Sequence, residues 1–230
     1  MTLRLSSHDR NLINSSEPID VQLDELVPSN LYRSFFKRLF ETVLCILAAP
    51  VVLLLVPVMA VLVALDGRNP FYSQLRVGRN GQVFRMWKLR TMVHGADDLL
   101  EAYLAANPAA RAEWNQTQKL RNDPRITPIG RFLRKTSLDE LPQLWNVVAG
   151  HMALVGPRPM MVSQRDSYTG RAYYNLRPGL TGLWQVSDRN NCEFSGRVHY
   201  DDLYERQLSL NTDLRVIFRT IGVVLRGTGC

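Results

Sequence analysis

Asp139 and Glu140 stand side by side in the stretch "KTSLDELPQLWNV", residues 135–147, just before Pro142 and an apolar run. Adjacent carboxylates suit two kinds of chemistry. They can hold Mg²⁺, which usually takes one or two carboxylates together with substrate phosphates. Alternatively, one of them can attack phosphorus and carry the phosphoryl group covalently. The chain leading into the pair is basic, with Lys119, Arg121, Arg125, Arg131, Arg134 and Lys135 in close succession. Such a run is either a solvated face or an anion site, where guanidinium groups would neutralise a transferring group.

Pro142 is tolerated only in the first turn of a helix, so a helix here begins near 137–139. Leu141, Leu144, Trp145 and Val148 then recur at i, i+3, i+4 and i+7, which predicts one apolar face. Both acids therefore belong to a helix N-terminus. Ser137 and Glu140 fit a capping box there, and acids suit the positive end of the helix dipole. The same free N–H groups can also receive an anion.

Two further stretches belong with the pair. In "VGPRPM", 155–160, prolines bracket Arg158 and stiffen the backbone that carries its guanidinium fork. A fixed fork suits bidentate phosphate or carboxylate. In "LRPGLTGLWQVSDRNN", 176–191, Arg177 precedes Pro178 and Gly179; Gly179 and Gly182 permit turns or close ligand approach. Together with the acids these segments suggest one pocket.

The elements that must position it are of several kinds. Residues 1–30 are polar and aperiodic, which predicts a flexible arm without the apolar centre of a secretory signal. From Val43 to Leu65, 23 residues carry no charge. As a helix they would reach about 34 Å, against a bilayer core of about 30 Å. Pro50 and Pro57 interrupt this run and predict a kink. Basic residues flank it on both sides: Arg33, Lys37 and Arg38 before, Arg68, Arg76 and Arg79 after. Basic flanks stay in the cytoplasm, so a single span and a re-entrant helix that returns to the same face both fit. "FYSQLRVG" and "QVFRMWKLRTM" predict a β-hairpin turning at Asn80-Gly81. Residues 96–118 predict helix, broken at Asn107-Pro108. The last segment places Leu214, Ile217, Phe218, Ile221 and Leu225 on one face, with Arg215, Arg219 and Arg226 off it. That face either packs on the domain core or lies on a membrane surface.

A net charge of +7 and a pI near 9.6 favour anionic partners in general. Cys45, Cys192 and Cys230 have no metal-binding or disulfide spacing, and the four histidines form no HxxxH pair. A reducing compartment fits.

As a set, "FKRLF", "RVGRNGQVFRMWKLRTM", "KTSLDELPQLWNVVAGHMALVGPRP" and "RPGLTGLWQVSDRN" are specific, and the chain from Phe36 to Leu225 resembles the bacterial sugar transferases. These are monotopic polyprenyl-phosphate phosphoglycosyl transferases that initiate exopolysaccharide assembly. The resemblance implies an α/β fold, mostly helical with a small β-hairpin. Residues 31–68 would form a re-entrant membrane helix bent at Pro50 or Pro57, and residues 69–230 the catalytic domain with its amphipathic C-terminal helix. It implies Asp139 as nucleophile and Glu140 as its partner near Mg²⁺, both of them metal ligands. Lys88, Arg90, Arg134, Arg158 and Arg177 would bind substrate. The substrates would be a UDP-sugar, with galactose or glucose favoured, and undecaprenyl phosphate, with UMP released. The expected place is the cytoplasmic face of the bacterial inner membrane. Nucleic acid is not an expected partner, and homo-oligomerisation is left open. The chain departs from the family pattern at Glu41, His151, Ala153 and Asp188. Two competing readings are a membrane-anchored glycosyltransferase that releases UDP, and a basic, membrane-bound binding module without enzymatic activity.

Overall fold

In a computed structural model, residues 31–66, 68–117, 120–187 and 196–225 are described. The proposed polar arm, Asp188 and Cys192 lie outside them. The long apolar run forms one continuous helix, α1 (Lys37–Val63), entered through a π-helical turn at Tyr32–Phe36 and left through a 3₁₀ turn at Ala64–Asp66. Pro50 and Pro57 both lie inside α1. The whole segment Tyr32–Asp66 is long and apolar enough to cross a membrane. Ile46, Leu47, Val51, Leu53, Leu54 and Val58 along its middle are exposed.

Both ends of this helix pack against the rest of the protein. Near its start, Cys45 joins Phe84, Met86, Val147 and Met152. Near its end, Ala60 and Val63 join Leu89 and Leu133. A buried polar knot fixes the first end. Lys37 Nζ lies 2.7 Å from both Glu41 Oε1 and Asp213 Oδ2, and donates to Val155 O at 2.9 Å and Tyr204 Oη at 3.0 Å. Asp213 also accepts from Tyr204 at 2.6 Å and Tyr32 at 2.7 Å. An ammonium this deeply buried is tolerated because carboxylates and hydrogen bonds compensate its lost hydration.

The hairpin forms as its sequence predicts. β1 (Phe71–Val77) pairs antiparallel with β2 (Val83–Leu89), with Val77 opposite Val83 and Tyr72 opposite Lys88. Asn80 and Gly81 both take positive φ, 56° and 75°, the left-handed pair that Asn-Gly supplies. The predicted helix over 96–118 is two helices, α2 (Ala96–Ala106) and α3 (Pro108–Thr117), and Asn107 is extended between them. α4 (Pro128–Thr136) starts on Thr127, whose side chain accepts from Gly130 N at 2.9 Å, with Pro128 in its first turn.

The segment that carries the acids differs from its predicted form. A 3₁₀ turn, Leu138–Glu140, precedes α5 (Gln143–Val148). Ser137 is left-handed at φ 57° and makes no side-chain cap, so the capping box does not form. Only part of the predicted apolar face is buried: Leu144 packs on the core, but Trp145 is 67 % exposed and Val148 is exposed, while Gln143, Asn146 and Val147 face inward. Asn146 causes this rotation. Its side chain accepts from Trp87 N at 3.1 Å and donates to Arg85 O at 2.7 Å, which ties α5 to β2.

The remaining elements are β3 (Ala153–Val155), α6 (Ala172–Asn175), β4 (Gly179–Thr181), α7 (Leu183–Val186), α8 (Arg197–Arg206) and α9 (Leu210–Leu225). β3 and β4 form a short parallel pair. Bare backbone is required where they meet. A Cβ on Gly156 would lie 2.4 Å from Arg177 O, and one on Gly182 would lie 2.0 Å from Gly156 O. α9 buries Asp213 and Val216 and packs Ile217 on the core, so only the outer part of the apolar stripe, Phe218, 68 % exposed, and Ile221, faces outward. Capture of Asp213 by Lys37 and Tyr204 sets that rotation. Among the described residues the chain is mostly helical, with one antiparallel hairpin and one parallel strand pair.

Candidate active site

The acids meet the hairpin through Lys88. Its Nζ lies 2.7 Å from Glu140 Oε1 and 3.9 Å from Asp139 Oδ2. Lys88 sits near the end of β2, which α5 holds through Asn146, so one rigid unit positions both partners. On the other side, Gly130 lets α4 press on Thr91, since a Cβ there would lie 2.0 Å from Thr91 O. This brings Arg134 Nε to 2.9 Å from Thr91 Oγ1 and its positive charge close enough to act on Asp139.

Asp139 is 7 % exposed. Burial pushes its carboxyl up to about 6; Lys88 and Arg134 pull it down, and Glu140 pushes it further up. It is still mostly ionised at neutral pH.

Glu140 and Lys88 form part of the wall of a small cleft open to solvent. Arg76, Gln143, Arg158 and Gln185 form much of the rest. Asp139 is not itself part of that wall; it is buried next to Glu140, 3.9 Å from the Lys88 ammonium. Arg158 stands over the Trp184 ring, 5.7 Å from its centroid, and Arg197 is 5.5 Å from the same ring. Arg197 also donates to Arg158 O, which holds the proline-bracketed loop in place.

Three of the five predicted basic residues thus gather around the acids: Lys88 and Arg158 in the cleft, and Arg134 beside Asp139. Arg90 and Arg177 are engaged elsewhere. Arg90 forms a bidentate pair with Asp66 at 2.6 and 2.7 Å and donates to Val63 O at 3.2 Å, clamping the end of α1. Arg177 lies 3.8 Å from Glu41 Oε2, close to the Lys37 knot. His151 stacks on Phe84 at 5.9 Å, a packing role. Sequence reasoning names Arg76 only as a basic flank of the apolar run and does not single out Gln143 or Gln185. The hairpin register would have found Arg76, because it stands opposite Phe84 and shares a strand face with Met86 and Lys88.

Among the described residues no group of three or more His, Cys, Asp or Glu side chains comes together. The adjacent carboxylates of Asp139 and Glu140 are nevertheless hard oxygen donors that fit Mg²⁺, with further ligands drawn from substrate and water.

A carboxylate pair set among cations, with Asp139 buried and Glu140 half-buried, in a chain that carries an apolar helix of membrane length, points to an anion-handling, membrane-associated class. The chain belongs to the bacterial sugar transferase family, whose model matches residues 32–227. It is 48 % identical over 200 residues to the UDP-galactose-lipid carrier transferase of Erwinia amylovora, covering 85 % of this chain and 41 % of that protein. It is 42 % identical over 232 residues to the undecaprenyl-phosphate galactose phosphotransferase of Salmonella typhimurium, covering 99 % of this chain and 48 % of that one. With the exopolysaccharide production protein ExoY of Rhizobium meliloti it shares 46 % identity over 200 residues, 84 % of this chain and 87 % of ExoY. The chain therefore spans less than half the length of the first two relatives and most of the third.

Proposed function

We propose that this chain is a phosphoglycosyl transferase. It moves a sugar 1-phosphate from UDP-galactose or UDP-glucose to undecaprenyl phosphate and releases UMP, as the first membrane step of exopolysaccharide biosynthesis. The observation that carries this reading is the Asp139–Glu140 pair joined to Lys88 at a cleft that Arg76 and Arg158 also line. The names of the relatives agree with it.

Asp139 is the nucleophile. Glu140 is held by Lys88 at 2.7 Å, whereas Asp139 lies 3.9 Å from that ammonium and is desolvated. A less stabilised carboxylate is the more basic and the more reactive of two. An Asp139 oxygen attacks the sugar-bearing phosphorus, and the P–O bond to UMP breaks with its electron pair leaving on UMP. A phosphate oxygen of the lipid then attacks the same phosphorus, and the Asp139 carboxylate leaves. Lys88, Arg134 and Arg158 offset the repulsion between carboxylates and diphosphate. Mg²⁺ held by Asp139 and Glu140 would neutralise phosphoryl oxygens.

The membrane helix re-enters rather than spans. Three observations support this: basic flanks on both sides, two prolines within α1, and both helix ends packed on the same domain. Exposed Trp145, Phe218 and Ile221 would meet the lipid surface. The cleft then opens at the cytoplasmic face, where the lipid phosphate lies.

The test is nucleotide release across a panel of UDP-sugars with undecaprenyl phosphate and Mg²⁺. UMP is the expected product; UDP would sink the reading. Without lipid, wild type should release up to one UMP per site and keep the sugar phosphate. Asp139→Asn should keep none, and Glu140→Gln should form the adduct slowly.

A further inference from the structure

Arg76 is a cation without a carboxylate partner among the described residues. Its Nη1 donates to Pro159 O at 3.3 Å and its Nη2 to Gln74 Oε1 at 2.6 Å, while its buried Nε meets no acceptor. Burial, and after it the positive charge of Arg158, pull its pKa down to about 10, so it remains charged at neutral pH. Two amides beside it are also unmatched. Gln143, 3 % exposed, leaves Nε2 without a partner; Gln185, 8 % exposed, leaves both Nε2 and Oε1 without one. All three residues line the same cleft as Lys88 and Glu140.

A buried polar group left unmatched is costly. Four such groups, on three residues of one cleft, are accounted for if a ligand supplies the missing partners, and the terminal amide torsions are soft enough to reach it. The missing partners have a definite chemistry. Arg76 and Gln143 Nε2 want acceptors. Gln185 wants an acceptor and a donor together. A polyprenyl phosphate offers only its phosphate, since the rest is hydrocarbon. A nucleotide offers phosphate oxygens and, on its base and ribose, donors next to acceptors.

We propose that Arg76, Gln143 and Gln185 form a subsite for the nucleoside monophosphate half of the donor, with Arg76 and Gln143 on its phosphate and Gln185 on its base or ribose. This rests on the transferase reading. The sugar-bearing phosphate lies at Asp139, and the nucleotide phosphate, one bridging oxygen away, lies toward Arg76. Arg76 therefore holds UMP as it leaves.

The probe is UMP, titrated against the intact membrane protein without acceptor lipid and read by calorimetry and by thermal midpoint. Arg76→Lys keeps the charge but loses the fork, and should weaken UMP binding by about 10- to 100-fold, the range for a lost hydrogen bond to a charged group. Gln185→Met keeps the side chain's length but removes its polar atoms. It should leave the ligand-free midpoint unchanged or higher and weaken UMP by about 2- to 10-fold. UMP affinity within twofold of wild type in folded Gln185→Met would overturn the proposal, even if Arg76→Lys failed to fold. So would variants that lost galactose 1-phosphate binding while UMP binding stayed intact. A wild-type enzyme that binds UMP through these residues yet releases UDP would sink the transferase reading and leave the subsite standing.

Discussion

Lys88 Nζ sits 2.7 Å from Glu140 Oε1 and 3.9 Å from Asp139 Oδ2, so one ammonium serves two adjacent carboxylates unequally. The closer acid has its charge compensated, and the farther one is left less stabilised. Replacing Lys88 by Met leaves the two carboxylates facing each other, and the donor diphosphate then meets uncompensated negative charge. The single-turnover rate of UMP release should fall by about 100-fold or more, the scale for removing one electrostatic contact at a transferring group. An unchanged rate in folded Lys88→Met protein would mean that the lysine only ties β2 to the acids.

Topology is tested by labelling. In a cysteine-free background, single cysteines at Ser16 and Arg79 flank the apolar helix. Both should be shielded from a reagent confined to the periplasm and should react after the membrane is opened. Reaction at Ser16 alone in sealed cells would establish a span. Of Pro50→Leu and Pro57→Leu, whichever exposes position 16 marks the bend.

The knot around Lys37 should matter to stability more than to chemistry. Lys37→Met strips the cation from Glu41 and Asp213, both of which are buried. Breaking a buried pair from one side costs about 3–5 kcal/mol, so a large drop in thermal midpoint in detergent is expected. Lys37→Met with Asp213→Asn should recover part of it, because the amide leaves less uncompensated charge.

Asp201 gives stability a pH dependence. Burial raises its carboxyl to about 6, opposed by the hydrogen bond from Tyr168 at 2.8 Å and by the charge of Arg197. Between about pH 4 and pH 6 the folded chain keeps this proton and the unfolded chain does not, so stability falls as pH rises. The total is about 3 kcal/mol, and the curve is flat above that window. Asp201→Asn should remove this slope. The midpoint of the variant relative to wild type should rise from pH 4 to pH 6 and then level off. A constant difference across that range would refute the assignment.

Local signals carried much of the fold. The hairpin and its turn follow from Asn80-Gly81 and the flanking alternation, and the break at Asn107 follows from Pro108. The orientation of α5 and α9 was not legible, because in each helix a buried polar residue outweighs the apolar stripe. Asn146 turns α5 toward β2, and Asp213 turns α9 toward Lys37. The site divides in the same way. Asp139, Glu140 and Arg158 announce themselves by charge and rigid surroundings, whereas Lys88 is singled out only by the family resemblance. Arg90 and Arg177 share those motifs but face Asp66 and Glu41, and only tertiary packing separates them from the rest. Gln143 and Gln185 carry no charge and no spacing signal, so burial without a partner is what picks them out.

The contact of Gly156 with Gly179 and Gly182 leaves no slack between the loop that carries Arg158 and the turn that leads to Gln185. The two sides of the cleft are fastened backbone to backbone, so neither can be lengthened or reshaped without displacing the other. A different ligand preference in this cleft could not arise by remodelling these loops. It would have to come from side chains exchanged one at a time on a frame of constant width.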